Sequence, residues 1–282
     1  MTDKQTGVIA TIIASHTPRM AIEEKAWDFT TGLIQGLRDM GKAAKALKPD
    51  LFVVNTTHWI TTFDWVFTAH QQNKGVCIAE EAPHLVPGVP YDYKGDPEFS
   101  KAAETALRDN DIPCYADANK YFHWDYGTLV PIQYMDPEQE IPVVTTPTCY
   151  MSDLKENERV GELIDEVAQA QGKRVIVVVS NALTHQLVRK PDAWPLEEHQ
   201  KMDFKFIDMV KDGDIDGALD YLPKYAVDAK CEMGGRGLGV FLGASHKLQE
   251  HAGKLHGEQF GPYSQSSGSG NVNLLVTPNG AA

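Results

Sequence analysis

The sequence predicts an α/β fold. It reads as a single domain, 1–282, with a central mostly parallel or mixed sheet flanked by helices and an active site at the strand C-terminal ends. Three observations carry that expectation. Apolar, β-branched runs of strand length recur at 7–15, 51–56, 141–148 and 173–180. Between them lie longer stretches with apolar residues at helical spacing. The strand runs are nearly continuous in hydrophobicity rather than alternating, as a sheet covered on both faces requires.

The elements follow in order. GVIATIIAS (7–15) is a strand, and 21–47 is an amphipathic helix with Trp27, Leu33, Ile34, Leu37 and Met40 spaced for one buried face. LKPD turns the chain into the strand LFVVNT (51–56), which completes a βαβ unit and makes the first two strands parallel. DWVFTA (64–69) is a further strand. EEAPHLVPGVPYDYKGDP (80–97) is an excursion long enough to be a functional loop. A helix spans 97–109, with Pro97 in its first turn. IPVVTTPT (141–148) is a strand, 153–171 a helix, and KRVIVVVS (173–180) a strand. The region 199–247 is mainly helical, interrupted by DGDIDG and LPKY. The Gly/Ser stretch SQSSGSGN (264–271) leads into a last strand, VNLLV.

Bulk properties exclude several classes. The chain of 282 residues carries a formal charge of −13 with no basic run, so neither nucleic acid nor an anionic membrane is an expected partner. An acidic substrate would need a local cation inside the site, because the net field repels it. Cys77, Cys114, Cys149 and Cys231 are widely spaced, as reduced thiols of a cytoplasmic protein would be. The first apolar run is too short for a signal peptide, and no run reaches the ~20 apolar residues of a membrane span.

Chemistry in a parallel sheet gathers beyond the carboxyl ends of the strands. His16 follows the first strand, His58 the second, and His185 the strand 173–180 through the turn SNALT. One histidine at such a place is ordinarily a packing or turn residue. Three on one rim form a pattern. Two imidazoles and a carboxylate suit a non-haem iron(II) site with open positions. The carboxylate could be Glu232 in AKCEMGGRGLG or Asp125 in HWDYG, and spacing does not choose between them. GGRGLG lacks the Lys-Ser/Thr of a phosphate loop and follows no strand, and no G-x-S-x-G elbow supports a serine hydrolase.

Five segments, SHTPRM, NTTHWI, DYGTLVPIQYM, VVSNALTHQ and LPKYAVDAKCEMG, together resemble the class III extradiol ring-cleaving dioxygenases. This is the superfamily typified by the β subunit of protocatechuate 4,5-dioxygenase. The resemblance covers nearly the whole chain. It is nearest to the homoprotocatechuate (3,4-dihydroxyphenylacetate) 2,3-dioxygenase branch, with the 2-aminophenol 1,6-dioxygenase β subunit more distant. It implies Fe(II) bound by His16, His58 and Glu232, with His185 as the catalytic acid/base. Many members have D-H-G where this chain has D-Y-G, so Tyr126 replaces a histidine. That departure argues against gallate and protocatechuate and for a phenol as donor. His123 is the alternative imidazole. His84, Tyr91, Arg236 and Ser267 are candidates for substrate contact, Arg236 for a substrate carboxylate. His70, His199, His246, His251 and His256 are read as surface residues.

The implied reaction is insertion of both atoms of O2 beside the diol of a catechol-type ring, giving a ring-opened semialdehyde. A 2-aminophenol or a dihydroxypyridine offers a similar chelate. The family assembles as oligomers, so a homo-oligomer, alone or with a related second subunit, is expected. The reading from another class is a non-catalytic subunit or signalling homologue, in which loss of ligands is expected. A zinc-dependent relative is separated by metal identity.

Overall fold

Each of the four apolar runs becomes a strand of one sheet, and the helices between them cover it from both sides. The computed structural model describes residues 5–279. Residues 1–4 and 280–282, which the reading 1–282 includes, lie outside the described residues. In chain order the elements are β1 (Gly7–Ala14), α1 (Asp28–Ala46), β2 (Leu51–Thr61), β3 (Trp65–Thr68), β4 (Gln72–Cys77), β5 (Val89–Lys94), α2 (Pro97–Asp109), β6 (Cys114–Asp117), α3 (Tyr126–Met135), β7 (Val143–Cys149), α4 (Leu154–Ala170) and β8 (Arg174–Ser180). There follow α5 (Glu197–Asp212), α6 (Ile215–Asp228), α7 (Arg236–Ala252), β9 (Leu255–Gln259), β10 (Ser264–Ser266), β11 (Ser269–Asn271) and β12 (Leu274–Pro278).

The main sheet has six strands in the order β7-β2-β8-β1-β12-β9. β7, β2, β8 and β1 are mutually parallel, while β12 and β9 continue antiparallel at one edge. The sheet is therefore mixed, with a parallel centre. Its strands are apolar on both faces because both are covered. Along β8, Val175, Val177 and Val179 enter one core cluster while Ile176 and Val178 enter the other. α4 and α7 pack on the first face, and α1 and α3 on the second. The helix starts are capped as the side chains dictate. Asp96 accepts from Phe99 N–H ahead of Pro97, and Asp153 accepts from Glu156 N–H.

Several expectations are corrected. The helix placed at 21–47 begins only at Asp28, because Pro18 to Lys25 form two short 3-10 turns. Trp27 therefore caps the helix instead of joining its buried face, and is 43% exposed. LPKY does not interrupt the helical region: Pro223 lies inside α6, where burial of Leu222, Tyr225 and Ala226 outweighs the lost backbone hydrogen bond. β3 pairs with β6 in a separate parallel pair. The excursion at 80–97 contains β5, which pairs with β4. His199, read as a surface residue, is buried.

Candidate metal centre and cavity

His58 is delivered by an irregularity that Pro147 forces. β2 does not stop at Thr56 but runs on to Thr61, and its register against β7 shifts between Asn55 and Ile60. Pro147 lies opposite that shift and has no N–H to give to the ladder. Asn55 Nδ2 donates to the Pro147 carbonyl at 2.8 Å, and Thr148 Oγ1 donates to the Thr56 carbonyl at 3.0 Å. These side chains replace the missing ladder bonds, and the bulged segment turns His58 over the end of the sheet. His16 is held by a different clamp. Asn273 Oδ1 accepts from Ser15 N–H at 3.0 Å and Ser15 Oγ at 2.7 Å, while its Nδ2 donates to the Leu33 carbonyl.

Glu232 arrives on a left-handed turn. Met233, Gly234 and Gly235 have φ of 46°, 65° and 76°. Three such residues in succession reverse the chain between α6 and α7, and the glycines make that affordable in conformational energy. The turn is pinned to the end of β8. Glu232 N–H donates to the Leu183 carbonyl at 3.0 Å, and Ala182 N–H donates to Glu232 Oε2 at 2.5 Å. Behind this junction lies Asp203, fully buried. Its carboxylate accepts from Thr184 Oγ1 (2.8 Å), Tyr225 OH (2.6 Å) and Tyr263 OH (2.6 Å). Asp203 thus ties the segment before His185 to the strand pair β10–β11.

Three donor atoms converge as a result. His16 Nε2 and His58 Nε2 lie 3.1 Å apart, and Glu232 Oε1 is 3.4 Å and 3.9 Å from them. Ligands at right angles on bonds of ~2.1 Å sit roughly 3 Å apart, so the set suits one cation with little movement. His16 Nδ1 is buried without a hydrogen-bond partner among the described residues. His58 Nδ1 faces Glu81 Oε1 at 3.4 Å, which places its proton there and leaves Nε2 free to ligate. The donor set therefore fits a metal ion. Asp125, the alternative carboxylate, is spent elsewhere: it caps α3 through Thr128 N–H and accepts from Thr56 Oγ1 at 2.6 Å.

Charge in the site follows from burial and neighbours. Burial alone would push the Glu232 carboxyl up, but the imidazoles of His16, His185 and His58 hold it well below the usual carboxylate range. Burial pulls His58 down, yet its hydrogen bond to Glu81 and the charge of Glu232 leave it above its ordinary value. The same bond draws Glu81 down to about 2. His185, with Nε2 3.4 Å from Glu232 Oε1, is lowered by burial and is neutral at pH 7. Burial and the nearby carboxylates raise the Tyr126 phenol, which stays protonated.

His16, His58, Glu81, Tyr126, His185 and Ser267 lie on the wall of one cavity of about 270 Å³. The remaining candidates lie away from that wall. His123 is exposed, and so is His84. Tyr91 is buried, stacked on Trp124, and its hydroxyl accepts from Trp124 N–H. Arg236 donates to the carbonyls of Ser152 and Met233. Sequence reasoning missed Arg19 and Glu81, which do line the cavity, and Asp203 and Asn273, which support it. Arg19 had a visible signal, a lone cation three residues after His16. Asn273 and Asp203 had none.

Two histidines and a glutamate at the mouth of a parallel sheet form a donor set that could hold one metal ion. The family described as the catalytic LigB subunit of aromatic ring-opening dioxygenase matches residues 10–274, and the chain belongs to it. Its class is accordingly the ring-cleaving dioxygenases. The 3,4-dihydroxyphenylacetate 2,3-dioxygenase of Escherichia coli is 25% identical over 225 residues, covering 75% of this chain and 80% of that protein. The 2-aminophenol 1,6-dioxygenase β subunit of a Pseudomonas species is 26% identical over 289 residues, covering 94% and 92%. The α subunit of the same name is 22% identical, covering 86% and 92%. The crystal structure of an uncharacterized protein from Escherichia coli K12 shares the fold, with a TM-score of 0.69 at 15% identity over 95% of this chain and 99% of that one.

Proposed function

We propose that this protein is a non-haem Fe(II)-dependent extradiol dioxygenase acting on a 3,4-dihydroxyphenylacetate-like catechol. The observation that carries the reading is the grouping of His16, His58 and Glu232 at a cavity that also holds His185 and Tyr126. His16, His58 and Glu232 would hold the iron. Bound iron(II) would carry electron density between ring and O2. His185, neutral, would accept a proton from a substrate hydroxyl, hold it on its imidazole and return it later in the reaction. Tyr126, protonated, donates a hydrogen bond from the cavity wall. Leu85, Leu187 and Ala182 supply apolar surface for the ring and exclude water.

2-Aminophenol is the second reading, favoured by the greater share of this chain that the aminophenol β subunit matches. The filled ligand set argues against a non-catalytic subunit. Free, buried cysteines suit the cytoplasm, and no helix among the described residues is long and apolar enough to cross a membrane. The relatives named as α and β subunits make a homo-oligomer, alone or with a related subunit, part of the proposal.

Oxygen uptake by anaerobically Fe(II)-reconstituted protein, with 3,4-dihydroxyphenylacetate and 2-aminophenol side by side, tests the reading. Rapid uptake with a yellow ring-opened product is expected. Bound iron without uptake on either compound rejects both substrates, and failure to bind iron rejects the enzyme.

A further inference from the structure

Arg19 is the cation of the cavity. Its side chain is part-buried on the wall shared with His16, His58 and His185, and its guanidinium carbon sits 4.5 Å from the centroid of the Trp27 ring. Stacking on Trp27 fixes the plane of the guanidinium without using its N–H donors in conventional hydrogen bonds. Among the described residues Arg19 has neither an ion pair nor a hydrogen bond. Five of the other six arginines are spent differently: Arg38, Arg108 and Arg159 pair with glutamates, and Arg174 and Arg236 donate to backbone carbonyls. The sixth, Arg189, is exposed and does not line the cavity. The carboxylate on the same wall, Glu81, is not available to Arg19's ligand role, since it faces His58 Nδ1 at 3.4 Å and bonds Tyr126.

A protein with a formal charge of −13 repels anions at long range. A guanidinium without an ion pair, carried by a residue of the cavity wall, opposes that field locally. Planar forked donors match the two oxygens of a carboxylate. The cavity, at about 270 Å³, lies near the small end of ligand pockets and suits one ring with a short substituent. We propose that Arg19 binds an anionic ring substituent of the substrate, so that the protein selects carboxylate-bearing aromatic diols over neutral ones. The inference rests on the ring-cleavage reading and deepens it. It assigns to Arg19 the role that Arg236, occupied outside the cavity, is not placed to fill.

The test is anaerobic titration calorimetry of the Fe(II)-loaded protein with 3,4-dihydroxyphenylacetate and with 4-ethylcatechol, its uncharged analogue of similar shape. The quantity is the ratio of the two dissociation constants. A charge-assisted bond of ~1.5–3 kcal/mol predicts a preference for the acid of roughly ten- to a hundredfold. In Arg19→Met the ratio falls to within a few-fold of one. Arg19→Lys keeps part of the preference, because it restores the charge without the fork. An equal ratio in Arg19→Met and the parent protein, or no preference in the parent, overturns the role of Arg19 and leaves the ring-cleavage reading standing. Failure of both compounds to bind iron-loaded protein overturns the two together.

Discussion

Replacing Gly127 by alanine sets two effects of opposite sign against each other. Gly127 lies in the first turn of α3, and an added Cβ would come well inside 3.0 Å of Thr56 Oγ1, 2.8 Å from Asp125 Oδ1 and 3.4 Å from His58 Cδ2. Helix propensity favours alanine by ~1 kcal/mol. Against it stand overpacking, ~1–3 kcal/mol, and displacement of the Thr56–Asp125 bond, a hydrogen bond to a charged group of ~1.5–3 kcal/mol. The second pair wins, because Thr56 is a fully buried strand residue whose hydroxyl has no other acceptor among the described residues. The net loss is roughly 2–4 kcal/mol, or a fall of roughly 5–15 °C in melting temperature for a chain of this size. Thr56 Oγ1 also accepts from His58 N–H at 3.2 Å, so iron affinity should fall with stability. Differential scanning fluorimetry with and without Fe(II), beside an iron titration, measures both. A Gly127→Ala protein that melts higher than the parent would refute the reasoning, since propensity alone would then govern the site.

Other perturbations address separate parts of the centre. His16→Ala, His58→Ala and Glu232→Ala should each abolish stoichiometric iron binding, read by colorimetric iron assay after desalting; full retention removes that residue from the ligand set. Because ligation needs a neutral His58, and its hydrogen bond to Glu81 and the charge of Glu232 outweigh burial and raise its pKa above 6.5, iron affinity should decline as pH falls through that raised value; an affinity that does not decline on acidification counts against it. His185→Gln should retain iron yet lower turnover by ~10²–10⁴-fold, with the acid limb of the parent's rate profile, expected below pH 6.5, disappearing in the variant. Asp203→Asn should destabilise by about 2–4 kcal/mol, because an amide donor then faces three hydroxyl donors. Burial raises Asp203 above its ordinary value, so its ionisation draws stability from the parent as pH rises through the raised pKa; the variant's deficit should narrow over that interval, and a widening deficit would reverse the assignment.

The strands were legible because their apolar runs have the length and β-branching of a doubly covered sheet, and 97–109 because Pro97 and Asp96 mark its start. The strand pairs β4–β5 and β10–β11 were not legible. They are short, and β4, QNKGVC, is largely polar. Rim histidines could be read from topology, since His16 and His185 follow the ends of strands and His58 follows the regular apolar run 51–56, in the irregular part of β2. The choice of Glu232 over Asp125 could not, because it depends on three consecutive left-handed residues and on Asp125 being consumed as a helix cap. His58 shows the same limit in another form. Its place was legible, but the cause, Pro147 opposing it from a strand 92 positions beyond Asn55, is a tertiary register.

The three side chains proposed as ligands rest on three unrelated supports. A proline-driven bulge turns His58, an asparagine clamp holds the turn before His16, and a left-handed turn bonded to the end of β8 sets Glu232. Each support uses protein groups alone: backbone carbonyls, amide side chains and buried N–H donors already satisfied in the fold. Contacts within the scaffold thus hold the donor atoms near ligating distance of one another. Bringing a buried carboxylate and two imidazoles that close costs desolvation, which the fold offsets by surrounding Glu232 with His16, His58 and His185. Such preorganisation predicts that contacts as distant as Asn273 matter to the centre, and among the described residues it leaves Arg19, on the cavity wall without an ion pair or hydrogen bond, for the substrate role proposed above.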